Sequence, residues 1–191
     1  MPVLTAARRR LTIAALLLGL WPGVAPAATA RSAHAQEYDL KAAFLFNFAQ
    51  FVEWPADAFA TPASPITIGI LGEDPFGTSL EEIVANEVVD DRKLVVRRFR
   101  SVDEIDACHI LFVTAAESKR MDHIASRLGN RSILTVGDAD DFTSRDGVVG
   151  FKTAKSRLRI RINMDAARAA KLSISSKLLR QAEIVRPGKV K

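Results

Sequence analysis

One cysteine, Cys108, is all that the 191 residues contain. This excludes an intramolecular disulfide framework and any zinc site built on paired cysteines. Aromatic residues are scarce at 7%, and only three histidines occur. No apolar run approaches the ~20 residues that span a bilayer. Most enzymatic signatures are missing as well. There is no G-x-S-x-G elbow, and Ser175-Ser176-Lys177 lacks the S-x-x-K spacing, so Ser175 or Ser176 reads as a helix N-cap. Gly69 and Gly72 end a strand-like run, but GILGEDPFG has neither G-x-G-x-x-G spacing nor a P-loop ending. Gly72 therefore reads as the pivot of a tight turn.

What is present begins with an export signal. Arg8, Arg9 and Arg10 precede an apolar stretch, Leu11 to Trp21, that Pro22 and Gly23 break. Small residues then recur in A-x-A spacing at Ala25-Pro26-Ala27, Ala28-Thr29-Ala30 and Ala33-His34-Ala35. Residues 1–35 read as a secretory signal, cleaved after Ala27, Ala30 or Ala35. The Arg8–Leu11 run leaves both the Sec and the twin-arginine routes open. Residues 36–191 then form one domain, since the chain, 48% hydrophobic over its full length, suits a single core of about 150 residues.

Cleavage changes the charge argument. The full chain is +5, but a cut after Ala35 removes four arginines (8, 9, 10 and 31) and no acid, leaving 23 basic and 22 acidic side chains. The basic character belongs largely to the signal, and a nucleic-acid partner is not expected. The mature chain is polarised: residues 36–143 hold 10 basic and 19 acidic side chains, and residues 144–191 hold 13 and 3. Two readings stand: the halves neutralise each other within one fold, or the basic end meets an acidic partner or anionic lipid.

Residues 37–54 contain no Gly or Pro and place Leu40, Phe44, Phe48 and Phe51 on one helical face. Leu45, Phe46 and Val52 make this helix apolar on further sides, so it is either centrally buried or shared with a partner. A strand over 66–71, a helix over 76–87, a strand over 93–99 and a short helical piece over 102–106 follow. Next come a doubly buried strand over 108–113, a helix over 117–128 and a strand over 133–136. This alternation predicts an α/β fold: a mostly parallel sheet flanked by helices on both faces. Strands over 148–151 and 157–162 lie close enough for a hairpin, giving the sheet an antiparallel C-terminal edge. Helices are expected over 165–170 and 176–185.

No catalytic, cofactor or metal site is expected from these residues. Cys108 and His109 are adjacent in a strand and point to opposite faces, so they cannot share a metal, and His109 reads as structural. Asp138, Asp140 and Asp141 read as a solvated acidic turn. Two candidate surfaces remain. A small ligand in an open α/β sheet binds beyond the strand C-termini, here near Glu73, Asp74 and Thr114. A protein partner would meet Phe44, Phe48 and Trp54 as an apolar anchor, with Arg157, Arg159 and Arg161 as a charged rim. These arginines alternate with Leu158, Ile160 and Ile162 on one strand, ~6.6–6.8 Å apart by strand geometry. Core packing of the phenylalanines and edge protection by the arginines are the competing readings.

Four blocks resemble the YfiR-like periplasmic family. They are Tyr38-Asp39-Leu40-Lys41-Ala42-Ala43-Phe44 continuing to Phe51-Val52-Glu53-Trp54-Pro55; Ile70-Leu71-Gly72-x-Asp74-Pro75-Phe76-Gly77; Val149-Gly150-Phe151 before the arginine-rich strand; and Ile174-Ser175-Ser176-Lys177-Leu178-Leu179. They fall in order along nearly the whole mature chain. The resemblance implies an exported α/β protein that restrains an inner-membrane diguanylate cyclase by binding its periplasmic part. Release of that restraint raises cyclic di-GMP and favours biofilm. A membrane sensor kinase is the alternative partner, a homodimer is an open assembly state, and no membrane span is expected after cleavage. A periplasmic small-molecule-binding domain is the rival function. Redox control through paired cysteines, known in such families, has no counterpart beside the lone Cys108.

Overall fold

The computed structural model describes residues 27–154 and 157–186. The charged and apolar segments of the expected export signal, residues 8–21, lie outside the described residues. Helix α1 (Ala27–Phe51) runs directly into strand β1 (Val52–Glu53) and is followed by β2 (Ile66–Leu71), α2 (Ser79–Val84), β3 (Val88–Val89) and β4 (Arg92–Phe99). Next come β5 (Ile110–Val113), α3 (Ala115–Ser118), α4 (Met121–Leu128) and β6 (Leu134–Gly137). The hairpin β7 (Val149–Ala154) and β8 (Arg157–Asn163) leads to α5 (Met164–Ala169), β9 (Ser173–Ile174), α6 (Ser176–Leu179) and β10 (Ala182–Val185).

Eight strands form the main sheet in the order β10-β8-β7-β6-β5-β2-β4-β3, and β1 pairs with β9 in a separate two-stranded ribbon. Strands β4, β2, β5, β6 and β7 run parallel, and β7 turns back antiparallel into β8. The expected α/β architecture is therefore present, with the antiparallel hairpin on the C-terminal side. Strand β3 pairs antiparallel with β4 through a two-residue turn in which Asp90 and Asp91 both have positive φ, 50° and 62°. That geometry matches the right-handed twist of the flanking strands.

The C-terminus departs from the sequence reading. The helix expected over 176–185 stops at Leu179, and Ala182–Val185 becomes β10, parallel to β8 with Ala182 beside Ile160. Residues 176–180 fill a helical turn, capped by Ser175 Oγ accepting from the Lys177 N–H. Beyond it the open edge of β8 supplies ladder hydrogen bonds that a further helical turn would forgo. The helix expected over 117–128 likewise divides into α3 and α4.

Alternation along each strand splits the core into two layers. Ile68, Ile70, Ile110, Phe112, Leu134, Val136, Val149 and Phe151 pack with α1 on one face. Leu71, Leu111 and Val113 pack with Met121, Ile124 and Leu128 of α4 and with Phe142 on the other. Burial on both sides is why these strands read as continuous apolar runs.

Helix α1 starts ten residues before the expected boundary and includes Ala27, Ala30 and Ala35. Its buried face is also rotated from the expected one. Ala42, Leu45, Phe48 and Ala49 are inside, whereas Leu40 is 46% exposed and Phe44 and Phe51 are half-buried. A helix apolar on several sides carries no single stripe that sets its rotation; the sheet beneath it decides.

Candidate functional site

The chain leaves β2 for β4 on one side and places β5 on the other, so the ends of β2 and β5 flank a crevice of the kind that holds ligands in open α/β sheets. Gly72 turns the chain there with φ +100°, and a Cβ on it would lie 2.5 Å from Thr114 Oγ1. The tight-turn reading of Gly72 holds. Thr114 Oγ1 is buried with no hydrogen-bond partner among the described residues. Asp74 Oδ1 accepts from the Phe76 N–H at 2.7 Å, and its Oδ2 accepts from Arg98 Nε at 2.7 Å. Arg98 also reaches Glu81 at 2.5 Å. Asp74 is thus committed to its own loop, and Glu73 is exposed. A cavity of about 370 Å3 opens elsewhere, lined by Met121, Leu128, Ile133, Val148, Ala166 and Ala170 among others.

The most elaborate polar cluster lies after β6. Lys41 of α1 is buried; its Nζ is 2.8 Å from Asp138 Oδ2 and 2.8 Å from Glu37 Oε1, and the two side chains of the Lys41–Asp138 pair are 4% and 7% exposed. Tyr38 donates its hydroxyl to the same Asp138 oxygen at 2.7 Å, and Lys41 Nζ sits 4.1 Å from the centre of the Tyr38 ring. Thr153 of β7 donates to Glu37 at 3.1 Å, and Tyr38 meets Phe76 edge-to-face at 5.4 Å. The bond from Lys41 holds the Glu37 carboxyl below its ordinary range. Burial, then the bond to Asp138, pushes the Tyr38 hydroxyl above its ordinary value. Glu37 is thereby held ionised and the Tyr38 hydroxyl neutral near pH 7. The cluster clamps α1 to the loop after β2, to the turn after β6 and to β7.

This corrects the reading of Asp138 as part of a solvated turn: Asp140 and Asp141 are exposed, but Asp138 is a buried ion-pair partner. Sequence reasoning missed the clamp, although a signal existed. Lys41, Leu45, Phe48 and Val52 follow helical i, i+4, i+7, i+11 spacing, and a lysine on a buried stripe requires a buried acid.

The structure does not bring the expected partner residues together. Phe48 has no exposed surface and stacks on Phe151 at 5.9 Å, so it is core. Phe44 is half-buried, 6.0 Å from the same ring. Trp54 is half-buried and donates its Nε1 to the His109 carbonyl at 3.2 Å. Register pairs Phe151 with Ile160 on the α1 face, so Arg157, Arg159 and Arg161 occupy the opposite face of the hairpin. One composite surface of Phe helix and arginine ladder is thereby corrected to two separate ones. The edge-protection reading is also narrowed, because β10 covers β8 from Ile160 onward and Arg161 stands opposite Glu183.

Cys108 and His109 point to opposite sides as expected. Cys108 Sγ packs beside Gly69 and Leu111 and donates to the Ile110 carbonyl at 3.1 Å; burial pushes its thiol up to about 12. His109 Nδ1 accepts from the Thr67 N–H at 3.0 Å, its ring stacks on Phe59 at 4.4 Å, and burial lowers its pKa. Among the described residues, no group of three His, Cys, Asp or Glu is placed to hold a metal, and no helix is long and apolar enough to cross a membrane.

Fold and rim together define the class: an open, mostly parallel α/β sheet, covered on both faces, whose polar clusters brace a long first helix. The chain belongs to the YfiR/HmsC-like family, whose model matches residues 38–183. The resemblance drawn from the four sequence blocks is borne out. No curated protein matches the chain.

Proposed function

We propose that the protein is an exported regulator that binds the periplasmic part of an inner-membrane diguanylate cyclase and restrains it. Cyclic di-GMP and biofilm formation rise when the restraint is lifted. The observation that carries this reading is membership of the YfiR/HmsC-like family across residues 38–183, with the matching α/β fold. The signal-like segment at residues 1–35 supports export. The work is binding rather than turnover: the buried ionisable groups at the rim are paired with one another. A periplasmic segment of a sensor kinase is the alternative partner.

Deletion of the gene, with cyclic di-GMP measured by mass spectrometry, tests the reading. A rise that the wild-type chain reverses supports it. Unchanged cyclic di-GMP sinks it. One observation favours a ligand-binding role as the second reading: the buried, unpartnered Thr114 hydroxyl beside Gly72, at the crevice flanked by Glu73 and Asp74. A thermal-shift screen distinguishes the two, since a ligand bound only by the native state raises Tm with its concentration.

A further inference from the structure

The hairpin β7–β8 carries cations that the rest of the fold does not use. Ion pairs of the first part of the chain are internal to it: Arg98 with Asp74 and Glu81, Arg97 with Asp106, Arg120 with Glu117, Arg127 with Asp103. Arg168 pairs with Asp165 in α5, and Arg145 crosses between the two parts at 3.8 Å from Asp122 and Asp141. Lys152, Arg157 and Arg159 are exposed and join no ion pair among the described residues. Register sets Lys152 directly opposite Arg159 on the face turned away from α1. Like charges so opposed are destabilising, so folding alone does not account for them. Arg161 continues the row and is anchored, donating to the Asp140 carbonyl at 3.3 Å.

We propose that Lys152, Arg157 and Arg159 form a docking stripe for an acidic, extended segment of the partner protein. The inference rests on the regulator reading and names the surface that reading needs. Three features select this occupant. The arginines stand ~6.6–6.8 Å apart along the strand, the spacing of alternate carboxylates on an extended chain, and a planar guanidinium fork matches a carboxylate bidentately. The stripe is narrow: at Arg161, the next residue of the row, it meets the exposed acids Asp140 and Glu183, which would oppose a broad anionic lipid surface. None of the exposed large apolar residues, Leu40, Val88 and Ile184, lies on the hairpin to insert into a bilayer.

The test uses the full exported chain and a fluorescent (Glu-Thr)4 peptide, with (Gln-Thr)4 and phosphatidylglycerol vesicles as parallel probes. Expected is salt-sensitive binding of the acidic peptide alone, weakened at least tenfold in Lys152→Ser/Arg157→Ser/Arg159→Ser. A charge-matched variant, Arg168→Ser/Lys177→Ser/Arg180→Ser, keeps wild-type affinity. Arg157→Ser alone, at the end of the hairpin, gives a smaller loss and serves if the triple variant fails to fold. Equal binding by wild type and triple variant overturns the stripe, and so does equal loss in the charge-matched variant. Vesicle binding that depends on the same three residues, without peptide binding, overturns it in favour of lipid. In cells, a deletion that raises cyclic di-GMP combined with full restraint by the folded triple variant defeats the stripe alone. A deletion without effect defeats the functional reading, and peptide binding still decides the stripe.

Discussion

At the β6 end of the rim, Lys41 and Asp138 pair almost out of water, with the half-buried Glu37 and Tyr38 bonded to them; on the β7–β8 hairpin, Lys152, Arg157 and Arg159 face solvent and join no ion pair among the described residues. The first region spends its charges on holding α1 to the sheet. The second leaves them available. A buried charge must be answered within the fold, because its desolvation cost is prohibitive otherwise, whereas an exposed arginine needs no internal partner. Charges that look alike in the sequence therefore have opposite consequences, and removing them should separate the two regions sharply.

The largest effect is expected at the clamp. Lys41→Met leaves Asp138 buried without its cation and should cost about 3–5 kcal/mol in urea unfolding. Lys41→Met/Asp138→Leu should recover much of that loss, and a Lys41→Met chain as stable as wild type would mean that the clamp contributes nothing. Gly72→Ala comes next, at about 1–3 kcal/mol, because φ +100° is strained for alanine and its Cβ would overlap Thr114. An unchanged midpoint in that variant would show that the loop shifts freely.

A pH titration sharpens the comparison further. Burial lowers the His109 pKa from its ordinary 6.5, so the unfolded chain binds the proton more readily. Stability is therefore full above 6.5 and declines as pH falls from there through the folded value. Glu37, held below its ordinary 4.5 by Lys41, adds a further loss below about that pH. His109→Asn, which keeps an acceptor for the Thr67 N–H, should flatten the first decline and leave the second; an unaltered slope between pH 6.5 and 5 would remove His109 as its origin. The smallest effect belongs to the hairpin. Arg159→Ser should change stability by no more than about 0.5 kcal/mol, with relief of the opposed Lys152 offsetting lost packing. A loss as large as that of Lys41→Met would make Arg159 structural and dissolve the contrast.

Much of the sheet was legible because its signals are local. The continuous runs Ile66–Leu71 and Ile110–Val113 could be read as buried strands, and the strict alternation from Arg157 to Ile162 placed its arginines on one face. A cap at Ser175 or Ser176 and Gly72 as a turn followed from residue chemistry alone; the structure makes Ser175 the cap. The partner surface was less legible. Phe44 and Phe48 occur together with the arginines as unusual features, but only strand register shows that a sheet separates them. Asp138 looked like its neighbours Asp140 and Asp141 because nothing within a few residues of it supplies a cation; its partner is 97 positions away.

What the sequence determined by itself is the place along the chain of β2, β4, β5, β6, β7 and β8 and of most helices, the polarisation of charge along the chain, and the family, because each depends on the side chains present at short spacing. Only the tertiary structure decided the rotation of α1, the conversion of Ala182–Val185 into an edge strand, and the division of charges into clamp and stripe. Those outcomes depend on which surface is left open when distant segments meet. An amphiphilic helix, a short mixed segment or an aspartate has several acceptable environments, and long-range packing and desolvation select among them.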